Sequence, residues 1–359
     1  MSPFRAAHAT GESWSECVAQ CAERLGRPGG GLGFVYFTDA LLPHAVAIVD
    51  SLRERTGVAD WVGTVGIGVI ASGTEYLDQP GLSTMVAELP GECYKVFSGR
   101  RPAKKGEQPH FGVIHADPET PDIAGLIADM SSKVGSGYLV GGLSSSRARG
   151  VQVANDVISG GLSGALFTQS VCMSTRLTQG CAPLPGRYRV TACDQNVIAT
   201  LDDRPALEVM KEAIGEVLSR DMRRAAHFIH VGLPVAGSDR GDYLVRNLVG
   251  IDPKNGLIAI GDMVESGAEL IFCKRDAESA RQDLRRILSE LREEAPAKPR
   301  GALYFSCVGR GEHMFGSRGA ELGLVKEALG DLPLAGFFCN GEISHDRLYG
   351  YTGVLALFH

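Results

Sequence analysis

The sequence has no apolar run approaching the eighteen or so residues a membrane-spanning helix needs, so no membrane partner is expected. Nor does its start, Met1-Ser-Pro-Phe-Arg-Ala-Ala-His8, hold an apolar stretch of signal-peptide length, and a cytoplasmic protein is the expectation. Walker A, HExxH, GxSxG and CxxC patterns are all missing, which removes the common phosphate, zinc-protease, serine-hydrolase and dithiol signatures. Gly309-Arg-Gly311 begins like a dinucleotide fingerprint, but Met314 stands where the third glycine belongs and no acidic ribose partner is placed. No cofactor is expected.

A basic excess is missing too. The chain has 36 Lys and Arg against 42 Asp and Glu, a net charge of −6, and nucleic acid is not an expected partner. Arg147 with Arg149 lies in a Ser/Gly loop, and Arg281 with Arg285 and Arg286 on a helix among acids; both clusters read as solvated surface. The nine cysteines are odd in number and lack paired spacing, as reduced, mostly buried thiols would be. Cys17 and Cys21 share a helix face, but two further metal ligands are lacking nearby, so they read as core-facing. His227 and His230 would point to opposite faces of one strand and cannot hold a metal together. No metal is expected.

What the chain does have is 359 residues, enough for two domains, and 46 glycines, the residue of tight turns and close backbone approach. It also repeats itself. Phe34 to Phe37, a helix from Pro43 to Arg55, Trp61 to Ile70 and a strand at Met85 to Leu89 form one copy. Phe111 to His115, a helix from Ile123 to Lys133, Tyr138 to Ser146 and Gly164 to Val171 form the second. The third is Gly301 to Gly311, a helical middle, Pro333 to Ile343 and Tyr351 to Phe358. Each places a glycine (Gly63, Gly141, Gly336) at a similar distance from its first strand.

The expected fold is α/β with α+β character: repeated β-α-β-β units forming mixed sheets covered by helices, in two modules. Arg187 to Leu201 reads as a β-hairpin, Pro205 opens a helix, and Ser279 to Glu294 is an amphipathic helix. The module boundary falls near Gly180 to Gly186, where Pro183 and Pro185 interrupt the pattern, giving modules 1–182 and 183–359.

Chemistry concentrates at the turns of the third copy. Cys307 leaves an apolar strand just before Val-Gly309-Arg310-Gly311, and Arg310 has a planar fork suited to a carboxylate. Asn340 can donate and accept, Gly341 admits a ligand to the backbone, and Glu342 could pair with an ammonium group. All seven read as ligand-binding residues, and none as catalytic. A nucleophilic Cys307 would need a base, and His313 and His345 are near only in number.

Phe305-Ser-Cys-Val-Gly-Arg-Gly, Pro333-Leu-Ala-Gly-Phe-Phe-Cys-Asn-Gly-Glu-Ile, Asn247-Leu-Val-Gly-Ile-Asp and Ile258-Ala-Ile-Gly-Asp-Met-Val-Glu-Ser-Gly resemble the C-terminal module of the FIST family. Val140-Gly-Gly-Leu-Ser-Ser-Ser and Ser159-Gly-Gly-Leu-Ser-Gly-Ala-Leu resemble the end of its N-terminal module. The resemblance spans residues 30 to 358 and extends to the substrate-recruiting part of an F-box protein. It implies a small-ligand sensory protein for an amino-acid-like metabolite, signalling through a separate protein or not signalling at all; binding without catalysis is the expectation. A cysteine-dependent hydrolase or acyl transferase using Cys307 and a protein-interaction scaffold are the alternatives.

Overall fold

Three times the chain builds the same series of elements. The first series is β1 (Phe4–Thr10), α1 (Trp14–Leu25), β2 (Leu32–Thr38), α2 (Ala45–Thr56), β3 (Asp60–Gly66), β4 (Gly68–Ala71), β5 (Thr74–Leu77) and β6 (Gly81–Ala87). The second is β7 (Tyr94–Ser98), β8 (Phe111–Ala116), α3 (Ile123–Ser132), β9 (Tyr138–Leu143), β10 (Gln152–Ala154), β11 (Asp156–Ile158) and β12 (Leu162–Phe167). A third opens with β13 (Met173–Gln179). An insertion then contributes β14 (Cys181–Pro183), β15 (Tyr188–Asp194), β16 (Val197–Leu201), β17 (Arg204–Pro205), α4 (Ala206–Ser219), α5 (Met222–Ala225), β18 (Ile229–Pro234), β19 (Tyr243–Asp252), β20 (Leu257–Ile260) and β21 (Glu269–Arg275). After α6 (Ala277–Glu293) the third series resumes with β22 (Gly301–Cys307), α7 (Glu312–Phe315), α8 (Ala320–Leu329), β23 (Leu334–Cys339), β24 (Glu342–Ser344), β25 (Arg347–Tyr349) and β26 (Thr352–Phe358).

This computed structural model describes residues 4–99, 109–219, 222–225, 228–235 and 242–359; His227 lies outside them. By internal contacts the chain divides into Met1–Thr178 with Arg281–His359, and Gln179–Ala280. The boundary expected at 182/183 divides the sequence into modules, a different matter from this division by contacts.

In the larger unit each series forms one six-stranded mixed sheet. The orders are β1-β6-β2-β3-β10-β11, β7-β12-β8-β9-β24-β25 and β13-β26-β22-β23-β4-β5. Within each sheet the two strands joined by helix pair in parallel, as a β-α-β crossover requires, and the returning strand pairs antiparallel. The last two strands of each sheet come from another series. The first series sends β4 and β5 to the third sheet, the third sends β24 and β25 to the second, and the second sends β10 and β11 to the first. Trp61 to Ile70, a single stretch in the sequence reading, thus breaks at Ile67 and changes sheets there.

The three sheets turn their inner faces to one core. Tyr36, Phe337 and Phe305 pack there with Phe34, Phe111, Phe167 and Phe358, and Tyr36 stacks on Phe337 with ring centres 5.2 Å apart. Outer faces are covered by helices: α1 and α2 bury Cys17, Val18, Cys21, Leu25, Ile48 and Leu52 against the first sheet, and α3 buries Ile127 and Met130 against the second. With both faces covered, β2, β8 and β22 hold only buried residues, which explains why they are mostly apolar. The Ser13 side chain accepts the Glu16 N–H at 3.2 Å to start α1, and Gly57, at φ 75, ends α2.

The repeated glycines occupy one equivalent position. Gly63, Gly141 and Gly336 pair with Val35, Ile114 and Tyr304, and a Cβ on each would lie 1.7, 1.8 and 1.8 Å from the carbonyl oxygen of that partner. On their other side they face Val153, Ile343 and Ile70 of the exchanged strands. The repeat seen in the sequence is therefore a structural one.

The smaller unit is a closed antiparallel barrel. Its strands run β21-β15-β16-β20-β19-β18, and β18 pairs back to β21. Val190, Ile198, Leu201, Ile229, Val231, Ile258 and Phe272 fill it, with Leu207 and Met210 of α4 packed into the same core. The expected hairpin is β15 with β16, and Pro205 stands just before α4.

Candidate functional site

Parallel pairing of β22 with β23 sets Cys307 beside Cys339, so the chain leaves both strands at one edge of the third sheet. Glycines 309 and 311 and Arg310 follow the first strand; Asn340, Gly341 and Glu342 follow the second. The structure thus brings these seven residues to one edge, in different surroundings. Glu342, the first residue of β24, is fully buried. Its Oε2 accepts from Thr352 through the hydroxyl at 2.8 Å and the backbone N–H at 3.2 Å. Oε1 has no hydrogen-bond partner among the described residues, the Gly341 N–H approaching the carboxyl without completing a bond. Burial pushes this carboxyl up to about 8, against the pull of Thr352, so at neutral pH it is mostly the neutral acid.

Cys307 is 7% exposed. Burial raises its thiol far above the usual range, and the Glu342 charge adds to the effect. A thiol so placed is a poor nucleophile. Neither nearby histidine serves it: His313 is exposed on α7, and His345 pairs with Asp346 at 2.8 Å. Tyr351 lies across the edge, its ring carbon 3.2 Å from where a Gly309 Cβ would be, and its backbone is left-handed at φ 60.

Arg310, expected to offer its fork to a ligand, pairs with a carboxylate of its own chain through one edge, and its Nη1 has no hydrogen-bond partner among the described residues. The side chain is fully buried, with Nε 2.8 Å and Nη2 2.7 Å from Glu321 Oε1, and its guanidinium lies 5.2 Å from the Phe315 ring centre. Glu321 also accepts from Tyr304, Ser306 and the Gly311 N–H. Arg310 and Gly311 thus hold the loop after β22 onto α8. Asn340 is exposed at the rim, its N–H on the Leu143 carbonyl at 3.2 Å; the Gly341 carbonyl accepts from Leu143 N–H at 2.9 Å.

Sequence reasoning missed four residues here. Thr352 and Glu321 are the partners of Glu342 and Arg310, distant in sequence, with no local signal. Glu75 is buried on β5 next to Glu321, and burial raises its carboxyl to about 7. The N–H groups of Gly319 and Glu312 approach it at geometries too poor to count as hydrogen bonds. Its signal was an acid at the inward position of alternating Thr74-Glu-Tyr-Leu77. Ser145 is the fourth, at the meeting of the three crossovers. Ser145 N–H reaches the Val65 carbonyl and Asn340 N–H the Leu143 carbonyl, while the Ser145 hydroxyl takes the Ile67 N–H and donates to the Phe338 carbonyl. Asn340 therefore stands where all three series exchange strands.

The FIST N domain model matches residues 31–204 and the FIST C domain model residues 206–345. The chain belongs to the FIST family. FIST domains are sensory, ligand-binding domains of signal transduction. An uncharacterized protein of Mycobacterium tuberculosis is 30% identical over 367 aligned positions, covering 96% of this chain and 95% of its own length. Another, of Mycobacterium bovis, is 29% identical, with 96% and 94% covered. Among the described residues no helix is long and apolar enough to cross a membrane.

Proposed function

We propose that this FIST protein is a cytoplasmic, non-catalytic sensor that binds a small amine-bearing metabolite, an amino acid or a relative of one, at the edge of β22 and β23. The observation that carries the proposal is the Glu342 carboxyl: buried, neutral at pH 7, with Oε1 unpartnered among the described residues, close to Cys307 and the backbone of Gly341. A ligand ammonium placed on Oε1 would offset the burial that keeps the proton on, and Glu342 would ionise. Cys307 and Gly309 would line the entrance, and Asn340 at the rim would meet the polar end of the ligand. Tyr351 would be the cover, held in a backbone conformation that costs a bulky residue roughly 1 kcal/mol or more.

The hydrolase reading is disfavoured by the raised Cys307 thiol. A scaffold role of the kind the F-box resemblance suggests, and a separate signalling protein, rest on family likeness alone.

Calorimetry against the common amino acids and polyamines, run at pH 7 in two buffers of different ionisation heat, tests the proposal. A binder is expected to release about one proton as Glu342 ionises. Glu342→Gln keeps the shape of the side chain and cannot ionise, so both the binding and the proton release should go. The proposal fails if the panel yields no binder, or one that Glu342→Gln leaves unchanged.

A further inference from the structure

The crossover of the second series is longer than the other two, running from Gly141 to Val153 against Gly63 to Ile70 and Gly336 to Ile343. Its extra residues, including Ala148 and Arg149, form a wall facing the start of α2. Between them lies an open groove of about 430 Å³, within the range of small-molecule sites. Leu42, Pro43, Val46, Val151 and Val157 line it, and Val46 leaves 60% of its surface exposed there.

One charged side chain lines this apolar groove. Arg149 is exposed and has no ion pair or hydrogen bond among the described residues, whereas its neighbour Arg147 is taken up by Asp39 and Asp78. A free guanidinium beside an apolar trough matches a ligand with an anionic head and a hydrocarbon body. Such a ligand would cover Val46 and place two oxygens on the planar fork. An amine would meet the guanidinium as a like charge.

We infer that the groove between α2 and the β9–β10 crossover is a binding site for a small carboxylate with an apolar body. It involves none of the residues around Glu342. The first and third series have shorter crossovers and no counterpart of the Arg149 wall among the described residues.

Calorimetric titration of the full chain with octanoate, octan-1-ol and octylamine tests this. Octanoate should bind saturably and one-to-one, with octanol roughly tenfold weaker or more, as expected for loss of a charge-assisted contact. Arg149→Met retains an apolar stem and should weaken octanoate by a similar factor, leave octanol unchanged and leave the melting temperature at the wild-type value. Val46→Asp, at an exposed position, should abolish octanoate binding in a folded protein. Glu342→Gln should bind octanoate as wild type does, so this inference and the amine site fail or stand separately. Octylamine binding as tightly as octanoate, an unaffected Arg149→Met, or no saturation at millimolar concentration would each overturn it.

Discussion

Glu342 and Arg310 show how two charged residues on neighbouring turns take opposite roles. Arg310 meets a carboxylate and pairs with it, whereas Glu342 meets a hydroxyl and an amide and keeps its proton. The difference predicts a pH dependence of stability. Below about 4.5, the ordinary value for glutamate, folded and unfolded chains both hold the proton. Between there and about 8 the unfolded chain has lost it and the folded chain has not, so the stability due to Glu342 declines by at most about 1.4 kcal/mol per pH unit. Above about 8 both are ionised and the loss levels off. Glu342→Gln should therefore gain in melting temperature relative to wild type as pH rises from 5 to 8, with no further gain above 9. A constant difference across that range would place the ordinary carboxylate in the fold.

At the scale of elements, the β-α-β crossovers depend on one backbone contact made three times. Gly63, Gly141 and Gly336 sit so close to the neighbouring strand that a methyl carbon would lie far inside van der Waals contact distance of the carbonyl oxygen. The obstacle is backbone, which cannot rotate away. Alanine at any of the three is expected to cost about 4 kcal/mol or more, or to prevent folding, measured by urea denaturation. Gly323 on α8 provides the contrast. A Cβ there meets nothing within 4 Å, so Gly323→Ala should stabilise the protein by about 0.5–1 kcal/mol through helix propensity. If one of the three strand variants were well tolerated, its series would have to pack differently from the others.

At the scale of the molecule, the insertion between β13 and β22 closes its own barrel and fills its own core. Such a unit has no open sheet edge within its ring to protect. The segment 179–280 made alone is thus expected to give a β-rich circular dichroism spectrum and one cooperative melt. A spectrum without structure would mean that the barrel needs the rest of the chain. The larger unit cannot be divided in the same way, because each of its three series lends two strands to another.

How much of this was legible beforehand follows from which interactions are local. Period and composition determined the helices, the buried parallel strands and the threefold recurrence, because a strand covered on both faces is mostly apolar and a crossover must leave room at one glycine. The turns after β22 and β23 were legible too, since Cys307, Asn340 and Glu342 stand where apolar runs end. Tertiary structure alone decided which sheet each short hairpin joins, as β4, β10 and β24 are only three or four residues long and carry no mark of their partner. It alone decided that Arg310 would be paired with Glu321 and that Glu342 would be left with a proton. A charge near a turn can be read from sequence; whether it is paired, buried or free depends on what other segments bring to within 3 Å of it.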